Sequence, residues 1–268
     1  MKSSALNTPL LTVWTWAVGV FVMLPLFFVF AVSLTPLGYI SLPTSSISFR
    51  WYAKIAQHPE FISATIDSLG LALAATFTAL VLGITAAIAI VRYQFALREV
   101  IRTAVASPMF IPVVMSGLAI LMASTAWGWT DQATRLYVAH SALTVPYVVR
   151  TVSASLAAFD PNQELAAHNL GASPIKAFLL ITLPQLGPGV LAGAVFAFIV
   201  SFDNVGISIF LTGANFTTLP VQLLEYATND ADPMVAAVSV VMIIISLLAV
   251  LLMERTFGLQ RLMGVSKS

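Results

Sequence analysis

The chain has 268 residues, of which 59% are hydrophobic and only 9% charged, and its formal net charge is +1. A water-soluble domain needs more charge than this to cover its surface, so the bilayer is the expected solvent, and a polyanion partner has no global electrostatic support. The absence of cysteine removes disulfides and thiolate sites, and three scattered histidines (His58, His140, His168) offer neither zinc-site nor triad spacing.

A membrane-crossing helix needs about 20 mostly apolar residues. Six stretches qualify, so we expect an all-α integral membrane protein with six transmembrane helices. The first, about Leu10 to Val32, holds no charge and is too long for a signal-peptide core, so it is expected to stay as an anchor. After it, SFRWYAKIAQH predicts a short interfacial helix with Trp51, Ile55 and His58 near one face. The second span runs from about Ser63 to Val91. The third, near Ala104–Ala126, carries Pro108 and Pro112, and the fourth, near Ala133–Leu156, contains Pro146. Neighbouring helices can satisfy the carbonyls that such prolines free.

Between the fourth and fifth spans lies FDPNQELAAHNLGASPIKAFLLITLPQLGPG. Asp160 is placed as an N-cap, Pro161 as the first helical residue and Gln163 as a capping-box partner, while Glu164 suits the positive end of the helix dipole. Gly171 fits the left-handed position that ends a helix. Ser173-Pro174 repeats the start signal and Pro184 closes the next stretch, giving two short helices joined at a glycine.

The fifth span is expected near Gly187–Leu211 and the sixth near Pro233–Met253. Asp203 sits in the fifth, roughly 24 Å from Gly187 at about 1.5 Å per residue. A carboxylate there is costly and faces a cavity or a partner; flanked by Ser201 and Asn204, it offers a polar step to a cationic amine. Pairing with a partner chain or capping a broken helix is the plain alternative. His140 is expected to hydrogen-bond inside the bundle, Asp67 to be interfacial, and Glu225, Asp230 and Asp232 to form a solvated acidic loop. One set of loops and ends carries Lys2, Arg92, Arg98, Arg102, Arg150, Lys176, Arg255, Arg261 and Lys267; the other carries only Arg50, Lys54 and Arg135. The first set is therefore expected on the cytoplasmic side, with both termini inside. Trp14, Trp16, Trp51, Trp127 and Trp129 fall near span ends, as amphipathic rings do.

The loop after the fourth span resembles the EAA loop of ABC importer permeases. Ala166 and Ala167 are followed by three residues and Gly171, then, after nine more, by Ile181, Leu183 and Pro184. The expected glutamate is Leu165; family members often carry two adjacent glutamates, so Glu164 is read as the surviving one. FRWYAKIAQHPEFISATIDSLGLALAAT and SFDNVGISIFLTG with TTLPVQ resemble permeases of the spermidine/putrescine group.

That resemblance implies a single type I (MetI-like) permease domain over residues 1–268, with a coupling segment at 160–184. Glu164, Ala166, Ala167, Gly171, Ala172 and Pro184 would meet the ATPase, and Asp203, Ser201 and Asn204 would line the solute path. It implies two ATPase subunits that bind ATP and Mg, a second and distinct permease chain, and an extracytoplasmic solute-binding protein, all in a bacterial inner membrane. This chain would hold no cofactor and catalyse nothing, and it has no GxxxxGK[ST] loop. The solute would be a polyamine or related small amine, with an amino acid, an aminoalkylphosphonate or ferric iron as alternatives. A proton-coupled carrier is the rival from another class, but it would be expected to carry more intramembrane ionisable groups.

Overall fold

The computed structural model describes residues 8–43, 46–230 and 232–257. Both chain ends, with Lys2, Arg261 and Lys267, lie outside the described residues. The helices are α1 (Thr8–Ser33), α2 (Arg50–Ala56), α3 (Pro59–Arg92), α4 (Arg98–Ala106), α5 (Val113–Ala126), α6 (Gln132–Ala158), α7 (Asn162–Asn169), α8 (Pro174–Ala177), α9 (Leu183–Gln185), α10 (Gly187–Phe202), α11 (Ser208–Leu211), α12 (Leu219–Asn229) and α13 (Met234–Phe257). Among the described residues no sheet forms; Gly213 and Phe216 make one isolated bridge.

Among the described residues three helices are individually long and apolar enough to cross a membrane, and with each of three bent helix pairs taken as one span the number reaches six. The six expected spans are all present, but two are not straight. The third span breaks at Phe110–Pro112, and the two halves meet at 105°. Pro112 has no N–H for a helix, so α5 begins only at Val113 and Arg98–Met109 runs off in another direction. The fifth span was expected to reach Leu211; α10 instead stops at Phe202, and α11 restarts at Ser208.

The contacts divide the chain into two compact units, Met1–Ile62 with Leu223–Ile245, and Ser63–Gln222 with Ser246–Ser268. In the first, no residue in the apolar window of α1 is buried among the described residues. The short helix expected after the first span is present as α2, but it ends at Ala56 and leaves His58 outside it. Trp51 is buried, and its indole N–H donates to the Thr35 carbonyl at 2.9 Å. Lys54 reaches Asp232 at 2.6 Å and the Tyr226 hydroxyl at 3.1 Å, and Tyr226 donates to the same carboxylate at 2.9 Å. Asp232 is thus held in a network rather than in a solvated loop. The hydrogen bond to Asp232, then that to Tyr226, raises the Lys54 ammonium above its ordinary value.

In the second unit α10 lies against α6. Gly189 and Gly193, one helical turn apart, face Thr151, Ser155 and Val148 at near-contact distance: a Cβ on Gly189 would stand 2.7 Å from the Thr151 carbonyl oxygen. Small residues four apart let two helix backbones approach in an apolar medium, where packing rather than hydrophobic exclusion drives association. Around this contact Val148, Val152, Leu186 and Ala197 are buried, with Ala79 and Ala87 of α3 in the same core. α6 itself starts on a true cap, since the Asp131 carboxylate accepts from the Thr134 N–H at 2.7 Å. The hydrogen bonds from Thr134 hold that carboxyl below its usual range.

Candidate functional site

Two places in the second unit gather the residues singled out from the sequence. The first is the 160–184 segment. The Asp160 side chain accepts from the Asn162 N–H at 3.0 Å from one residue before the cap, so the N-cap position belongs to Pro161 and α7 starts at Asn162. Gln163 makes no capping box; its amide oxygen instead accepts from Gln185. The end of α7 follows the sequence reading. Gly171 has φ +88°, its N–H bonds the His168 carbonyl at 2.9 Å, and the Ala172 N–H bonds Ala167 at 3.0 Å. This pair of bonds is a Schellman ending, which satisfies two orphan carbonyls of the last turn. The His168 ring adds a hydrogen bond to the Ala172 carbonyl at 3.0 Å. Ser173 then caps α8, accepting from the Lys176 N–H at 3.4 Å.

Pro184 does not close its stretch as expected. Helical turns continue through it, and the chain bends by 61° between Gln185 and Gly187. Its missing N–H would leave the Leu180 carbonyl unpaired and its ring would crowd that turn. The backbone widens into a π-helical turn over Phe178–Thr182 just before it.

Glu164 points inward. Its two carboxylate oxygens accept from the Arg92 guanidinium at 2.9 and 3.1 Å, and the buried Thr182 hydroxyl donates to the same carboxylate. Burial pushes this carboxyl up, but the hydrogen bonds from Thr182 and Arg92, with the Arg92 charge, outweigh it and hold it below its ordinary value. The segment exposes apolar side chains, with Leu165 57%, Leu170 90% and Ile175 72% exposed, beside polar and charged ones that include Asp160, Gln163, His168 and Lys176. Ala166, Gly171 and Pro184 are exposed beside them, and Ala167 and Ala172 are half-buried.

The second place is the break after α10. Asp203 is the residue that ends the helix, its N–H returning to the Ile199 carbonyl at 3.0 Å. Its side chain is exposed and, among the described residues, has no hydrogen-bond or ion-pair partner. The negative end of the α10 dipole lies at the same point, so two sources of negative potential coincide. Asn204 turns its side-chain oxygen to the Ile207 N–H at 2.9 Å, which starts α11. Across the gap, His140 is fully buried and contacts both Ser201 (2.8 Å, Nδ1) and Ser208 (3.0 Å, Nε2). Asp203 and Asn204 therefore share the break, whereas Ser201 is buried and turned to His140 rather than to a path.

Sequence reasoning missed Arg92 and the Gly189/Gly193 contact. The first carries no local signal, because its partner is 72 residues away. The second was visible as a GxxxG in an apolar run.

The comparisons with known proteins agree with one another. The family model "binding-protein-dependent transport system inner membrane component" matches residues 79–256. A putrescine transport system permease protein of Escherichia coli K12 is 32% identical over 199 residues, covering 72% of this chain and 71% of the relative. A spermidine/putrescine transport system permease protein of Haemophilus influenzae is 30% identical over 207 residues, covering 77% and 80%. In fold, the chain is similar to a chain of a bacterial alginate ABC transporter in complex with a pentasaccharide-bound periplasmic protein, with a TM-score of 0.71, 17% identity and coverage of 94% and 93%.

Proposed function

Since the chain belongs to the family of binding-protein-dependent transport inner-membrane components, we propose that it forms half the pathway of an ATP-driven importer for a polyamine or related small amine. The relatives named for putrescine and spermidine support the solute class. The observation that carries it within this chain is Asp203, an exposed carboxylate with no partner among the described residues, at the negative end of a broken intramembrane helix. Half-helix C-termini and unwound backbone suit a cation in this way, and an anionic solute would find the potential adverse.

The 160–184 segment would lie on the cytoplasmic side, with both termini, and dock on an ATPase that holds ATP and Mg. Two such ATPases, a second permease chain distinct from this one, and an extracytoplasmic binding protein would complete the machine in a bacterial inner membrane. The alternation is supplied by the ATPases; this chain would supply the docking segment and the cation step, and no chemistry.

Reconstitution tests the whole reading. The chain is co-expressed with its genomic neighbours, purified and placed in proteoliposomes with the binding protein. A P-loop ATPase should co-purify, and putrescine or spermidine should stimulate its turnover. If no ATPase accompanies the chain and solute still moves, the importer reading fails. If the ATPase is present but only a non-amine solute stimulates it, the solute class fails alone.

A further inference from the structure

Arg92 is the last residue of α3, and one guanidinium collects every flank of the 160–184 segment. Its Nη1 alone reaches both oxygens of Glu164 in the first turn of α7, at 2.9 and 3.1 Å. It donates to the Thr182 hydroxyl in the π-helical turn at 3.3 Å. Its carbon centre stands 5.6 Å from the ring of Phe159, which ends α6, and 5.8 Å from that of Phe178, which opens the π-helical turn. A planar, five-donor cation can satisfy a carboxylate, a hydroxyl and two ring faces at once, whereas a lysine ammonium can not.

We propose that Arg92 is the positioning residue that ties the docking segment to the C-terminal end of α3, so that force applied to α7 is passed to that span. The inference rests on the docking role proposed above. Its physical ground is the poverty of other anchorage: α7 buries no side chain of its own. A helix without an apolar face against the protein takes its position from its polar attachments. The main one here is the Glu164–Arg92–Thr182 cluster. The side chains of Arg92 and Glu164 are 25% and 20% exposed, so the pair is shielded enough to bear load. Glu164 is consequently committed inside this chain rather than held out to a partner.

The test uses the full assembly with putrescine as the probe. Arg92→Gln and Arg92→Lys are each purified with the ATPase, and three quantities are read: ATPase recovered, turnover without solute, and turnover with putrescine and binding protein. The expected result is wild-type ATPase recovery and unstimulated turnover, with the stimulated increment reduced about fivefold or more in Arg92→Gln and incompletely restored by Lys. Hydrogen exchange over residues 162–185 should rise in the same variant. Wild-type stimulation in Arg92→Gln overturns the proposal. Should Arg92→Gln not reach the membrane, the isosteric Thr182→Val is read in its place, where a reduced increment supports the proposal and a wild-type increment overturns it. Failure of the wild-type chain to recover any ATPase is a different result, and it sinks the docking role itself.

Discussion

Nε2 of His140 stands 3.0 Å from Oγ of Ser208, and the direction of that bond fixes the imidazole's tautomer. Ser208 has one hydroxyl hydrogen, and it is committed to the Asn204 carbonyl at 2.7 Å. Its oxygen must therefore accept, so Nε2 carries the proton and Nδ1 accepts from the Ser201 hydroxyl. A neutral ring satisfies all three groups and staples the end of α10 to the start of α11 across the break. Replacing His140 with Phe keeps the bulk and removes both bonds, which should destabilise the protein by about 1–2 kcal/mol. Thermal unfolding in detergent reads the loss, and an unchanged midpoint would contradict the staple.

Asp203→Asn keeps shape and hydrogen-bonding capacity but removes the charge at the α10 terminus. Uptake of a dicationic amine should fall by roughly tenfold, about 1.4 kcal/mol of lost attraction, while ATPase recovery stays at the wild-type level. Wild-type uptake kinetics would return Asp203 to a structural role.

At Gly171 a Cβ would meet nothing within 4 Å, so any penalty there comes from the backbone, at φ +88°, and not from crowding. The expected order of solute-stimulated turnover is Gly, then Asn, then Ala, then Val, because Asn tolerates the left-handed region and β-branching resists it. The Val variant should lose about 1–3 kcal/mol of local stability. Equal turnover across the series would show that the turn is not needed for docking.

Gly189 poses the opposite problem, since even a methyl group collides with the Thr151 carbonyl. Gly189→Ala should destabilise the α6–α10 pairing by about 1–3 kcal/mol. Gly70→Ala, in an open stretch of α3, should be neutral or gain up to about 1 kcal/mol. Comparing the two unfolding midpoints separates close packing from general intolerance of alanine.

The Glu164 carboxyl is held below its ordinary value of 4.5. A lowered carboxylate contributes stability that is complete above the unfolded value and is lost as pH falls through the folded one. Melting midpoints followed downward from pH 6 should stay level until about pH 4.5 and then drop more steeply in the wild type than in Glu164→Gln. Parallel profiles would mean that the pair adds nothing to the fold.

Much of this was legible in the sequence, for a physical reason. Six apolar runs can be read because a bilayer demands length and hydrophobicity residue by residue, and the Schellman glycine can be read because its signal is local. The break at Phe110–Pro112 was not foreseen, and the one after Phe202 only as the alternative role of Asp203, that of capping a broken helix. The run from Gly187 to Leu211 is apolar enough to continue as one helix, and only the packed polar set His140, Ser201, Asn204 and Ser208 stabilises the interruption. Pro112 was noted as tolerable within a span, yet it marks a 105° turn. Arg92 looked like one more topology-setting cation, because its partners come from three distant segments.

The inward turn of Glu164 has a consequence for partner choice. With Glu164 withdrawn, the segment shows its partner the apolar Leu165, Leu170 and Ile175 and keeps Asp160 and Lys176 exposed as charges. The three apolar side chains would hold an ATPase by shape and burial, and such contacts are not weakened by dissolved salt as ion pairs to Asp160 or Lys176 are. High ionic strength should then loosen the assembly without dissolving it. ATPases of related importers should be told apart by the contour of their groove as well as by its charge.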